Sequence, residues 1–234
     1  MTLMSRSLIV GALGAAVLIG SGSWAAAEEK RMTEAEIRTC QQDLQIDPKG
    51  DRAMTPVALP PAQTCRSDLK KNGFAVPDPA CTPGAVNPTL TLTALKDPVF
   101  RTDCVRNQAT PESRSSAEEH SSKHFKTDTY GWYGVPKPTD NEGKNQTCEL
   151  DHFISLELGG ADTLDNIWPQ CGPADVTLDN RFFKEKDTVE NYLAWMVKHG
   201  EMELDEAQKG IAADWTQYLD KARNKCPHGD CPKQ

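Results

Sequence analysis

The segment from Cys148 to Pro169 constrains the fold more than any other part of the chain. Glu149 to Leu158 reads as a strand running into a turn, where Gly159-Gly160 frees the backbone for a tight reversal. Leu164 to Trp168 reads as a short returning strand that Pro169 ends. Asn180 to Val197 then reads as a helix, so the local order is strand, strand, helix. The pair Asp151-His152 lies on the first strand and Asn166 opens the second. A carboxylate that can hold a metal therefore stands beside an imidazole that can take a proton from water.

The cysteines point to the compartment. There are eight: Cys40, Cys65, Cys81, Cys104, Cys148, Cys171, Cys226 and Cys231. An even number behind an apolar leader predicts disulfides formed in an oxidising compartment. The leader is residues 1–27: Arg6, an apolar run from Leu8 to Ile19, and Ala25-Ala26-Ala27 before the charged Glu28-Glu29-Lys30. It reads as a secretory signal peptide, too short for a comfortable membrane span. The expected localisation is therefore exported, periplasmic or secreted, with no membrane attachment after cleavage. Many pairings are possible. The expected one is sequential: Cys40–Cys65, Cys81–Cys104, Cys148–Cys171 and Cys226–Cys231. A loop as long as 148–171 restricts the unfolded chain by about 3–4 kcal/mol in the entropy model.

The remainder divides into an extension over 28–80, a domain over 81–222 and a cysteine-containing tail over 223–234. Thr33 with Glu36 forms a capping box that starts a short helix, with Ile37, Cys40 and Leu44 on one face. From Pro48 to Pro88 the chain holds eight of its 16 prolines, which precludes long helices and predicts a loop-rich stretch pinned by cysteines. Leu90 to Val105 alternates in part and predicts a strand. Arg114 to Lys126 predicts a polar helix on which His120 and His124 share a face at a metal-binding spacing, with nothing nearby to complete a site. Tyr130 to Gly134 is aromatic and expected at the edge of the core; Pro136 to Gln146 is a polar loop leading into Asn145-Gln146-Thr147, which fits a glycosylation acceptor. Val189, Tyr192, Leu193, Met196 and Val197 place one closing helix on the core, and Gly200 stops it. Ala207, Ile211, Trp215 and Tyr218 place a second there. The tail is expected to be loose except at its two cysteines.

Residues 148–190 resemble the HNH endonucleases, the His-Asn-His members of the ββα-metal fold. More of the chain, roughly 80 to 220, is similar to a group of secreted bacterial HNH-type proteins. The matching pieces are Cys81 to Pro88, Tyr130-Gly131, Asp151 to Pro169, Lys186 to Leu193, Glu206-Ala207-Gln208 and Ala213-Asp214-Trp215. The implied architecture is α+β: a ββα-metal core with additional helices and a disulfide-pinned, Pro-rich N-terminal extension. The resemblance implies that His152 is the general base and that Asp151 holds one divalent cation. Mg²⁺ or Mn²⁺ suits hard oxygen ligands best, and Zn²⁺ or Ca²⁺ is accepted by the fold. It implies that Asn166 ties the loop between the strands and so orients His152. The family's last ligand has two candidates here, Asn180 and Asp187. Arg181, Lys184 and Lys186 lie on the same predicted helix and are expected to meet phosphates.

The activity so implied is metal-dependent hydrolysis of phosphodiester bonds in DNA or RNA. A net charge of −8 repels polyanions at long range, which counts against a high-affinity, non-specific nucleic-acid binder but not against an enzyme. The competing expectation is a catalytically inactive envelope or periplasmic protein that keeps the ββα fold as a scaffold. Its support is the acidic charge, the absence of a final His and the Pro-rich extension. Nothing in the sequence identifies a protein partner.

Overall fold

The computed structural model describes residues 32–47, 64–106 and 125–232. The leader, most of the predicted helix over 114–126 with His120 and His124, and residues 48–63 of the Pro-rich stretch lie outside them.

Helix α1 (Glu34–Asp43) begins at the predicted capping box: Glu36 N–H donates to the Thr33 hydroxyl, and Thr33 N–H donates to the Glu36 carboxylate at 2.7 Å. It buries Ile37 and Cys40. Strands β1 (Lys70–Lys71) and β2 (Phe74–Ala75) form a hairpin that composition alone did not lead us to expect. Asn72 and Gly73 turn it, both with positive φ (49° and 86°), as a two-residue turn between right-twisted strands requires. Leu90 to Val105 is not a strand. It contains helix α2 (Leu92–Lys96) and a 3₁₀ turn at Thr102–Cys104. The Thr91 hydroxyl accepts from Ala94 N–H, and this local cap outweighs a partial alternation with no neighbouring strand to pair.

Helix α3 (Phe125–Trp132) delivers Tyr130, Trp132 and Tyr133 to the interior. Strands β3 (Cys148–His152) and β4 (Ile167–Cys171) pair antiparallel in the register Cys148↔Cys171 through His152↔Ile167. β4 therefore runs past Pro169, which was expected to end it. Just beyond the ladder, Phe153 N–H donates to Asn166 C=O, and hydrogen-bonded pairs alternate from there. Pro169, opposite Leu150, falls at a non-hydrogen-bonded position, where its missing N–H costs nothing. Gly159 and Gly160 make the reversal between the strands. Gly159 has φ +78°, and a Cβ on Gly160 would lie 1.9 Å from the Ile154 carbonyl oxygen. The first needs glycine for its conformation and the second for space.

Helix α4 (Phe182–His199) starts two residues later than expected, after a 3₁₀ turn at Leu178–Asn180, and ends at Gly200. It packs on β3 and β4, and its Val189, Leu193 and Val197 share the larger apolar core with Trp168 of β4. The last predicted helix is broken into α5 (Leu204–Asp214), a 3₁₀ turn at Trp215–Tyr218, and α6 (Leu219–Lys225). Asp214 causes the break: its carboxylate accepts from Thr216 N–H and Thr216 O–H and caps a new turn. In the tail, described as far as residue 232, Cys226 is fully buried, Pro227–Gly229 form a 3₁₀ turn, and Trp195 on α4 donates its indole N–H to the Pro232 carbonyl.

Two apolar cores result. The larger joins α4, α5 and α6 to β4 and to Cys65 and Ala75, with Trp215 at its centre donating its indole N–H to Ala75 C=O. The smaller joins α1 to residues 90–105 and Leu156. Residue 80 is thus no boundary between cores, because Cys65 and Ala75 belong with the helices. Disulfides follow the cores. They are Cys40–Cys104, Cys65–Cys81, Cys148–Cys171 and Cys226–Cys231. The last two were expected; Cys40–Cys65 and Cys81–Cys104 were not correct, since Cys40 faces Cys104 across the smaller core while Cys65 and Cys81 sit in the larger. The protein is thus a mixed α+β chain with two small sheets among its described residues and four disulfides. No described helix is long and apolar enough to cross a membrane.

Candidate active site

Asp151 and His152 end β3 beside a pocket of about 110 Å³. Five carboxylates line it: Glu149, Asp151, Glu157, Asp187 and Glu190. His152, Ser155, Arg106 and Thr102 complete its polar lining. Arg106 arrives there because the Thr102–Cys104 turn, anchored through Cys104, packs against α1.

The imidazole of His152 is paired behind. Its Nε2 lies 2.8 Å from Oδ1 of Asp162, whose side chain is completely buried. An ionised carboxylate only accepts, so with Asp162 ionised Nε2 is the donor of this bond. The hairpin reversal makes this pairing: Asp162 follows Gly160 by two residues and comes back level with the end of β3.

Asn166, which is also fully buried, holds that reversal together. Its amide donates to Ile154 C=O and Ala161 C=O, both at 2.9 Å, and its Oδ1 accepts from Ile154 N–H at 2.9 Å and Ala85 N–H at 3.4 Å. One side chain thus bridges the residues just after His152 and just before Asp162.

Beneath the pocket stands Lys186, whose side chain has no exposed surface. Its Nζ lies 2.8 Å from Asp151 Oδ2, donates to His152 C=O at 2.8 Å, and pairs with Glu190 one helical turn on. An ammonium has three N–H groups, and these three acceptors use them all. Asp151 also accepts from the Trp168 indole N–H at 3.3 Å. Burial pulls the Lys186 ammonium towards neutrality, but the Asp151 and Glu190 charges outweigh it and leave its pKa above the ordinary lysine value. One ammonium cannot neutralise two buried carboxylates. Burial, aided by the charges of Asp151 and Asp187, accordingly pushes Glu190 well above the usual carboxylate range, although Lys186 opposes it. Burial raises Asp151 as well, against the pull of Lys186.

The other expected site residues are placed as follows. Asp187 shares the pocket with Asp151, and its carboxylate takes the Lys184 ammonium at 2.7 Å. Asn180 does not line the pocket; it is exposed and donates to the Thr177 hydroxyl at 2.9 Å. Arg181 and Lys186 were expected to meet phosphates, and neither is placed to do so. Arg181 is buried and spends its guanidinium on the carbonyls of Lys144 and Gln146, which pins the turn before β3. Lys186 is saturated inside the protein. Lys184 alone of the three keeps a substantially exposed side chain, 37%. Sequence reasoning missed Asp162, Glu190 and Arg106. Glu190 was findable from its i,i+4 spacing to Lys186; Asp162 follows from the hairpin geometry once the Gly-Gly turn is taken literally. Arg106 carries no local signal.

Compared with family models, with curated proteins and with solved structures, the chain matches none.

Proposed function

We propose that this protein is an exported phosphodiester hydrolase of the HNH type in which His152 activates water. The observation that carries the reading is the His152–Asp162 pair at the pocket wall beside Asp151. Asp162 fixes the tautomer and orientation of the ring, and the imidazolium formed on proton transfer gains a buried counter-charge. The strand, strand, helix order of β3, β4 and α4 agrees with the layout that the resemblance implies, and the resemblance supplies the phosphodiester as the substrate class. Export is supported by the leader-like residues 1–27 and by the four disulfides.

The divalent cation that the resemblance implies does not fit the residues as they stand. Asp151 holds the Lys186 ammonium and Asp187 holds that of Lys184. Among the described residues no group of three or more His, Cys, Asp or Glu could hold a metal ion. No step is therefore assigned to a metal. The test is cleavage of plasmid DNA and of RNA by the purified mature protein, with EDTA and separately with Mg²⁺ or Mn²⁺. His152→Ala lowers the rate by about 10²–10⁴-fold if His152 is the base. A variant that cleaves as fast as the wild type refutes the assignment.

A second reading is favoured by one observation: Lys186 pairs with the carboxylate expected to hold the metal, under an acidic lining that repels a polyanion. In that reading the chain is a non-catalytic envelope or periplasmic scaffold. Folded wild-type protein that cleaves neither nucleic acid under either condition decides for it.

A further inference from the structure

We infer that Lys186 is a built-in counter-cation: its ammonium fills an oxygen cage beside Asp151 that would otherwise take a divalent ion, and the wild-type cage is closed to such ions. Three oxygens, two from the adjacent residues that end β3 and one from α4, converge on Nζ. They are Asp151 Oδ2 at 2.8 Å, the His152 carbonyl oxygen at 2.8 Å, and the Glu190 carboxylate. Two carboxylates and a carbonyl are the hard ligands that Ca²⁺, Mn²⁺ and Mg²⁺ prefer, at metal–oxygen distances of about 2.0–2.6 Å. The cage therefore needs only a small contraction to hold a Ca²⁺- or Mn²⁺-sized ion once the ammonium has gone.

Three features make the ammonium a resident rather than a passer-by. The Lys186 side chain has no exposed surface, so it does not swing out without opening α4 from β3. Each of its N–H groups has an acceptor within the cage. Its aliphatic stem comes from a helix whose residues Val189 and Leu193 are buried in the larger core, so the charge is delivered from the packed side and not from solvent. A divalent ion entering the wild type would have to share the same oxygens with a fixed positive charge. This inference does not depend on the protein's being a hydrolase.

The experiment is Mn²⁺ binding, read by calorimetry and by the electron spin resonance of free Mn²⁺, on folded full-length mature protein. The wild type is expected to show no Mn²⁺ site that is lost in Asp151→Asn. Lys186→Met, which keeps the stem and removes the charge, is expected to bind Mn²⁺ at least about tenfold more tightly than the wild type, and its thermal midpoint is expected to rise with Mn²⁺ while the wild-type midpoint does not. A micromolar wild-type site that disappears in Asp151→Asn overturns the inference, and so does a folded Lys186→Met that gains no affinity. Should Lys186→Met not fold, Lys186→Met/Glu190→Gln removes one of the two opposed carboxylates and carries the same comparison. Wild-type cleavage that requires Mn²⁺ and Asp151 would overturn this inference while leaving the hydrolase reading standing, so the two fail separately.

Discussion

Replacing Asn166 by Ala should unfold the site from within. The side chain is fully buried and makes three bonds of 2.9 Å, two as donor to Ile154 and Ala161 carbonyls and one as acceptor from Ile154 N–H, with a longer fourth from Ala85 N–H. Three ordinary bonds at about 1 kcal/mol net each give roughly 3 kcal/mol. The Ile154 N–H and two carbonyls are then left buried without a partner, which raises the figure towards about 6 kcal/mol. A water entering the vacated space would hold it near the lower value, since the lost amide leaves room for roughly one. The expected loss is therefore about 3–6 kcal/mol, a large part of the roughly 5–15 kcal/mol that a domain has in total. Urea unfolding with the disulfides intact measures it, and hydrogen exchange at the Ile154 amide locates it. Asn166→Asp should be at least as damaging, because its second oxygen would face the two carbonyls that the amide now donates to. A loss below about 1 kcal/mol in Asn166→Ala, with Ile154 N–H still protected, would refute the claim that this side chain holds His152 and Asp162 in register.

Other expectations follow from the same structure. Gly160→Ala sets a methyl 1.9 Å from the Ile154 carbonyl oxygen and should cost more than Gly159→Ala, for which the left-handed conformation alone costs about 1–2 kcal/mol; equal urea midpoints would argue against the close approach. Glu190 binds its proton more tightly when folded, so stability should fall as pH rises from the ordinary value near 4.5 towards the raised one, and Glu190→Gln should lessen that decline, to which Asp151 also contributes; an unchanged pH profile counts against the crowded carboxylates. Burial pushes Tyr133 up to about 12, so ultraviolet titration should show it un-ionised well above pH 10 in the native state and ionising near pH 10 in urea. Replacing Cys40 and Cys104 by Ser should cost about 4 kcal/mol, against about 2 kcal/mol for Cys226 and Cys231, because the closed loops differ so much in length; the reverse order would point to native-state contacts.

Much of the local structure is legible without coordinates. Thr33 and Glu36 announce α1, the apolar positions of α4 recur at helical spacing, and Gly159-Gly160 marks the reversal. The Asn72-Gly73 hairpin was equally legible and lay hidden only because the surrounding prolines suggest loop. Leu90 to Val105 misleads for the opposite reason: a short alternating stretch carries no information about whether a partner strand exists.

What the chain determines by itself is what depends on neighbours in sequence: caps, turns, helical faces, the order β3, β4, α4, and the closeness of Asp151 to His152. Only the tertiary structure decides which charges meet. Lys186 looks like one of three basic residues on a helix, and packing alone turns it inward to Asp151, Glu190 and the His152 carbonyl. The pairing of Cys40 with Cys104 is decided in the same way, by which core each half-cystine enters. The physical reason is common to both. A buried charge or thiol is stabilised by whatever the fold brings within a few ångströms of it, and that neighbour can lie anywhere in the sequence.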